Sequence, residues 1–158
     1  MTDSQRQDPL HFYLDKSDPS AWKAVGALST AAKASAQAAG LSDQLIELVF
    51  LRVSQINGCS YCLNVHSKRA TRAGVNAQRQ ALLAAWEETD VYTDQEKAAL
   101  YLAETVTELP AKDERDFAQL FTHGALTDEQ YGAVQWLAIV MNVTNRISIM
   151  SNHPVKHD

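Results

Sequence analysis

An all-α domain of six or seven helices is what this sequence predicts, and three observations carry the prediction. Apolar residues recur at i, i+3 and i+4 along most of the chain, and no stretch alternates convincingly with period two. Serine, threonine and glycine stand where helices start and stop. The length of 158 residues suits one domain with a sizeable core.

The elements follow in order. Residues 1–19 are polar apart from "HFYL" and are punctuated by Pro9 and Pro19, which reads as an arm, mobile or laid against a neighbour. Residues 20–150 form the domain, and 151–158 a tail. "SAWKAVGALSTAAKASAQAAG" is an alanine-rich helix ending on Gly40, with side chains small enough for close approach by another helix. Ser42 caps the next helix, where Leu45, Leu48, Val49, Val53 and Ile56 keep helical spacing until Asn57-Gly58 breaks it. A further helix runs from about Cys59 to Ala73 and closes at Gly74, and a shorter one starts near Asn76. Thr93 with Glu96, and Thr127 with Gln130, form capping-box patterns that open two more, and "DERDFAQLFTHG" lies between them.

Composition narrows the function. The chain is 46% hydrophobic and 21% charged, with net charge −5, and no segment interleaves basic with aromatic residues, which argues against a nucleic-acid partner. The longest apolar run, "YGAVQWLAIVMNVTNRISIM", contains Asn142, Asn145 and Arg146, so a core helix is expected rather than a membrane span. The first residues lack the apolar run of a signal peptide, which makes the cytoplasm the expected compartment.

There a permanent structural disulfide is not expected, and the two cysteines, Cys59 and Cys62, must be catalytic, metal-binding or simply packed. Cys59 falls at the start of a helix, where unpaired N–H groups and the helix dipole favour a thiolate. Cys62 is one turn on, within reach of a disulfide, and His66 at i+4 from Cys62 shares its face and can serve as a local base. Zinc needs four ligands in a structural site; no second C-x-x-C or H-x-x-x-H exists, and His123 or His153 must be recruited from afar. Burial of both thiols as small hydrophobes is the third reading. Glu47 stands inside "LIELVFL", where a carboxylate is costly unless exposed, paired or functional. Its spacing alone favours the helix edge, near Arg52 or Lys68, but two antiparallel helices around the "NG" turn can bring it beside His66 and orient the imidazole.

Together Glu47, Cys59, Cys62 and His66 form E-x11-C-x2-C-x3-H, which resembles the signature of the AhpD-like alkylhydroperoxidases of the carboxymuconolactone decarboxylase superfamily. The resemblance extends over about residues 20 to 150, through "RVSQINGCSYCLNVHSKRATRAG", "LLAAWEETDVYTDQEKAALYLAETVTEL" and "MNVTNRISIM". It implies an all-helical fold assembled as a dimer, trimer or hexamer, and thiol-dependent reduction of a peroxide. In that scheme Cys62 is the peroxidatic thiol, Cys59 the resolving thiol, and Glu47 with His66 the proton relay. An external dithiol, lipoyl or thioredoxin-like, recycles the pair, and no haem, flavin or metal cofactor is required. The chain departs from the best-studied members at Tyr61, where they have histidine, and relatives often have tryptophan at the place of Thr144. Lactone decarboxylases of the superfamily lack the cysteine pair, which points away from that activity. A redox-sensing module, or a ligand-binding or lyase-like protein on the same fold, are the alternatives. Asn142, Asn145 and Arg146 read either as a polar wall near the site or, preferentially, as buried hydrogen bonds or a subunit contact.

Overall fold

The computed structural model describes residues 6–158. Among them are eight α-helices and no strand: α1 (Leu14–Ser17), α2 (Pro19–Ala38), α3 (Asp43–Asn57), α4 (Ser60–Arg72), α5 (Ala77–Leu82), α6 (Asp94–Glu108), α7 (Lys112–Ala125) and α8 (Asp128–Met150). The all-α expectation holds. The count exceeds seven by α1, a single turn inside the expected arm; the short helix expected from Asn76 is α5, which continues as 3-10 helix over Leu83–Glu88 with a kink at Ala85.

Local chemistry sets the ends. Ser42 Oγ accepts the N–H of Leu45 at 3.1 Å and starts α3. Both capping boxes form, Thr93 with Glu96 on α6 and Thr127 with Gln130 on α8, each satisfying two N–H groups that would otherwise lack partners. At the end of α3, Gly58 turns left-handed with φ of 69°, and the N–H of Cys59 returns to the Ser54 carbonyl at 3.1 Å. That turn sends α4 back along α3. The helix predicted over "DERDFAQLFTHG" runs to Ala125, one residue past its glycine.

Three helices make the centre: α3, α6 and α8 pack on one another, while α2 lies on α8, α4 on α3, and α7 on α6. Phe50, Val49 and Val53 of α3 meet Ala99 and Leu102 of α6 and Val134, Leu137 and Met141 of α8. Each fully buried side chain of this size stabilises the fold by about 1.5–3 kcal/mol. The core also contains Cys59 and Cys62, so the site is built onto the packed centre. A second cluster, around Leu48, Leu83, Trp86 and Leu100, fixes the other side of α3.

The segment before α2 is laid against its own chain. Leu14 N–H donates to Ser151 Oγ at 2.9 Å, and Asn152 Nδ2 donates to the Leu10 carbonyl at 3.2 Å. Residues 1–5 of the expected arm lie outside the described residues. No described helix is long and apolar enough to cross a membrane.

Candidate active site

Cys59 is the N-cap of α4, extended at φ −84° and ψ 95°, and its Sγ accepts the N–H of Cys62 at 3.3 Å. Cys62 lies in the first turn of that helix, and the two are joined by a disulfide with Cα atoms 5.3 Å apart. Both are buried.

The antiparallel return of α4 along α3 sets Glu47 opposite His66. His66 Nδ1 and Glu47 Oε2 are 2.7 Å apart, and both side chains are more than nine-tenths buried. Glu47 is thus sealed at the helix–helix seam, and the expected position at the helix edge is corrected. The supposed partners are occupied elsewhere: Arg52 donates to Glu104 at 2.6 Å, and Lys68 pairs with Asp158. The second neighbour of Glu47 is Lys33 of α2, its Nζ 3.9 Å from Oε1.

With the carboxylate ionised, Nδ1 carries the proton and donates it, so the neutral imidazole keeps its lone pair on Nε2. Arg79 Nε is the only sealed side-chain nitrogen or oxygen without a partner among the described residues. His66 Nε2 makes no hydrogen bond among the described residues. Phe50 packs on the ring at 5.0 Å between centroids and restricts its rotation. The arrangement is an oriented imidazole one helical turn beyond Cys62, on the same face.

Two features escaped the sequence reading. Asn57, the last residue of α3, donates from Nδ2 to Asn142 Oδ1 at 2.9 Å and Asn145 Oδ1 at 3.0 Å. Asn145 donates to Ser54 Oγ at 3.1 Å, and Asn142 to Thr107 Oγ1 at 3.0 Å. Asn145, buried, and Asn142, half-buried, therefore serve hydrogen bonds that clamp the α3–α4 turn to α8. Arg146 lies outside the turn, donating to Asn142 Oδ1 at 2.9 Å.

The second feature is His153. Its ring sits between Tyr13 and Tyr61 at 5.3 and 5.2 Å, while Nε2 meets Asp15 Oδ1 at 2.9 Å and Nδ1 meets Ser148 Oγ at 3.2 Å. Tyr61, between the two cysteines, thereby packs on His153, which in turn meets Tyr13 and Asp15 from the other end of the described chain. Among those residues, no group of three or more His, Cys, Asp and Glu side chains is gathered as a metal site.

The model of the carboxymuconolactone decarboxylase family matches residues 19–105, more than half of the sequence and the whole of the α3–α4 hairpin. The chain belongs to that family. Within the carboxymuconolactone decarboxylase family it is similar to the uncharacterized protein YdfG of Bacillus subtilis. The two are 40% identical over 103 residues, covering 65% of this chain and 70% of YdfG. A crystal structure of an Agrobacterium tumefaciens protein of unknown function, described as a candidate antioxidant-defence protein AhpD, superposes with a TM-score of 0.82 at 30% identity. That match covers 94% of this chain and 99% of the other. The AhpD-like fold and membership are thereby shown, in agreement with the resemblance carried by Glu47, Cys59, Cys62 and His66.

Proposed function

We propose that this protein is a thiol-dependent peroxidase of the alkylhydroperoxidase type, recycled by an external dithiol. The observation that carries the reading is the buried Glu47–His66 pair, 2.7 Å apart, whose histidine stands on the same helix as the Cys59–Cys62 disulfide.

In the reduced protein His66 Nε2 takes the Cys62 thiol proton. The Cys62 thiolate attacks one peroxide oxygen, the O–O bond breaks, and the departing alkoxide takes up a proton, from His66 in the simplest path. Cys62 is left as sulfenic acid, oxidised by two electrons, and the peroxide as an alcohol. Cys59 sulfur then attacks the Cys62 sulfur; water leaves and the disulfide closes. A dithiol reopens it by exchange, returning two electrons and two protons and leaving as its own disulfide. The Cys62 N–H that points at Cys59 Sγ favours Cys59 as the leaving thiolate in that exchange, so the incoming thiol attacks Cys62.

Lipoyl or thioredoxin-like dithiols are the proposed reductants, and the protein is proposed to act as a homo-oligomer in the cytoplasm. The test is peroxide consumption with several dithiol reductants, run with thiol counting. Turnover lost in Cys62→Ser, with two thiols consumed per peroxide in the first cycle, is the expected result. A redox-dependent change in assembly size without turnover would instead establish a sensor.

A further inference from the structure

Beside the Glu47–His66 pair lies a second cleft of about 310 Å³, walled by α2, the start of α3 and the end of α4. Three cations line it: Lys33 from α2, and Arg69 and Arg72 from α4. Its two acids, Glu47 and Asp43, are engaged already, Glu47 by His66 and Asp43 by the amide of Gln37 at 2.8 Å. Arg69 and Arg72 have no carboxylate partner among the described residues.

Three cations gathered in one cleft of a chain with net charge −5 call for an account. Arg69 and Arg72, three residues apart on one helix, repel each other. Their place in the last turn of α4 offsets part of that cost, because the negative end of the helix favours cations. The dipole does not account for Lys33, which enters from another helix and meets Glu47 only at 3.9 Å. A bound anion would satisfy all three. Guanidinium groups present paired N–H donors that match a carboxylate. The cleft has the size of a small-molecule site, with Arg69 and Arg72 exposed at its rim and Lys33 half-buried.

Its position narrows the ligand further. Arg69 is seven residues after Cys62, two turns on, so it shares the face of Cys62 and His66. The rise of an α-helix separates the two positions by about 10 Å. Ile46 and Ala73 supply apolar wall.

We propose that this cleft, with Arg69 and Arg72 as its principal donors, binds the carboxylate of an aliphatic molecule whose other end reaches Cys62. The inference deepens the peroxidase reading and rests on it for that second contact. The carboxylate can belong to the peroxide or to the dithiol, because both must bring a reactive group to the same sulfur.

Two measurements test it. The first needs no turnover: calorimetric titration of the intact oxidised protein with sodium octanoate, with octanol as the uncharged control. Octanoate should bind and octanol should not. The Arg69→Gln/Arg72→Gln double variant, with an unchanged melting temperature, should bind octanoate about tenfold more weakly or worse. Equal binding by the double variant, or none by the native protein at millimolar octanoate, overturns the proposal.

The second compares KM for linoleic acid hydroperoxide with its methyl ester, and for dihydrolipoate with dihydrolipoamide. A preference for the acid in the peroxide pair alone makes the substrate the source of the carboxylate; in the reductant pair alone, the dithiol. Either preference should collapse to about parity in the double variant. Turnover with no preference in either pair overturns the cleft proposal and leaves the peroxidase reading standing. Octanoate binding without turnover on any peroxide does the reverse.

Discussion

Cys59 and Cys62 share a helical turn but not an environment. Cys59 Sγ caps α4 and receives an N–H; Cys62, inside the first turn, shares a face with His66. Dipole and N–H favour charge on Cys59, whereas in the proposed cycle His66 acts on the proton of Cys62 directly. The dipole contribution is typically about 0.3–1 kcal/mol at exposed sites, while general-base assistance is worth about 10²–10⁴-fold in rate. We therefore expect Cys59→Ser to form a trappable sulfenic acid on Cys62, and Cys62→Ser to form none, after one equivalent of peroxide and dimedone-type labelling. Label on Cys59 in the Cys62→Ser protein, and never on Cys62, reverses the roles. His66→Ala should slow first-turnover disulfide formation about 10²-fold at neutral pH. Glu47→Gln should slow it less, because an amide oxygen can still orient the ring; stopped-flow comparison of the two checks that order.

At the scale of elements, the α3–α4 hairpin and the caps around it bring the site residues together. Gly58 provides the turn with φ of 69°, and a Cβ there would meet open space, so substitution carries a backbone cost alone. Gly58→Ala should destabilise the protein by about 1 kcal/mol in chemical denaturation, with no change in the slope of the transition.

At the entry to α2, Asp18 accepts from Ser20 Oγ at 2.6 Å and from the N–H groups of Ser20 and Ala21 at 3.0 Å. The Ser20 hydroxyl and then the Ala21 N–H hold its pKa below the ordinary 3.8. A depressed carboxylate contributes stability above its unfolded value that is lost as pH falls through the folded one. Amide protection at the first turn of α2 should therefore fade in acid below pH 3.8, and Asp18→Asn, which still caps, should remove that dependence. Hydrogen exchange across the acid range reads both.

The caps at Ser42, Thr93 and Thr127 were legible in the sequence because each is a contact within three residues, and the capping boxes of α6 and α8 appear where the spacing put them. The burial of Glu47 was not legible. It depends on which residue of α4 lies opposite after the turn, and helical periodicity in one segment does not report on its neighbour. The contacts of Asn57, Lys33 and His153 were missed for the same reason: their partners lie on other elements, in the case of Asp15 and His153 almost the whole described chain apart.

For the molecule as a whole, what remains uncovered is as informative as the core. Only Ala32 and Ala36 of the twenty-residue α2 are buried, and Trp136 and Ile139 of α8 and Phe117, Leu120 and Phe121 of α7 face outward. Exposed apolar area of this kind marks interfaces. We expect an oligomer at micromolar concentration by size-exclusion chromatography with light scattering; a clean monomer would remove that expectation.

The disulfide itself closes a ring of only four residues inside one helical turn. A cross-link restrains an unfolded chain through the loop it encloses, and one this short restrains it little, on the order of 2 kcal/mol against nearly 5 for a hundred-residue loop. Oxidised and reduced protein should accordingly melt within several degrees of each other, which calorimetry on the two forms can read. In the proposed cycle the bond can then be made and broken without the domain coming close to unfolding, so electron traffic through Cys59 and Cys62 would cause the scaffold no mechanical wear.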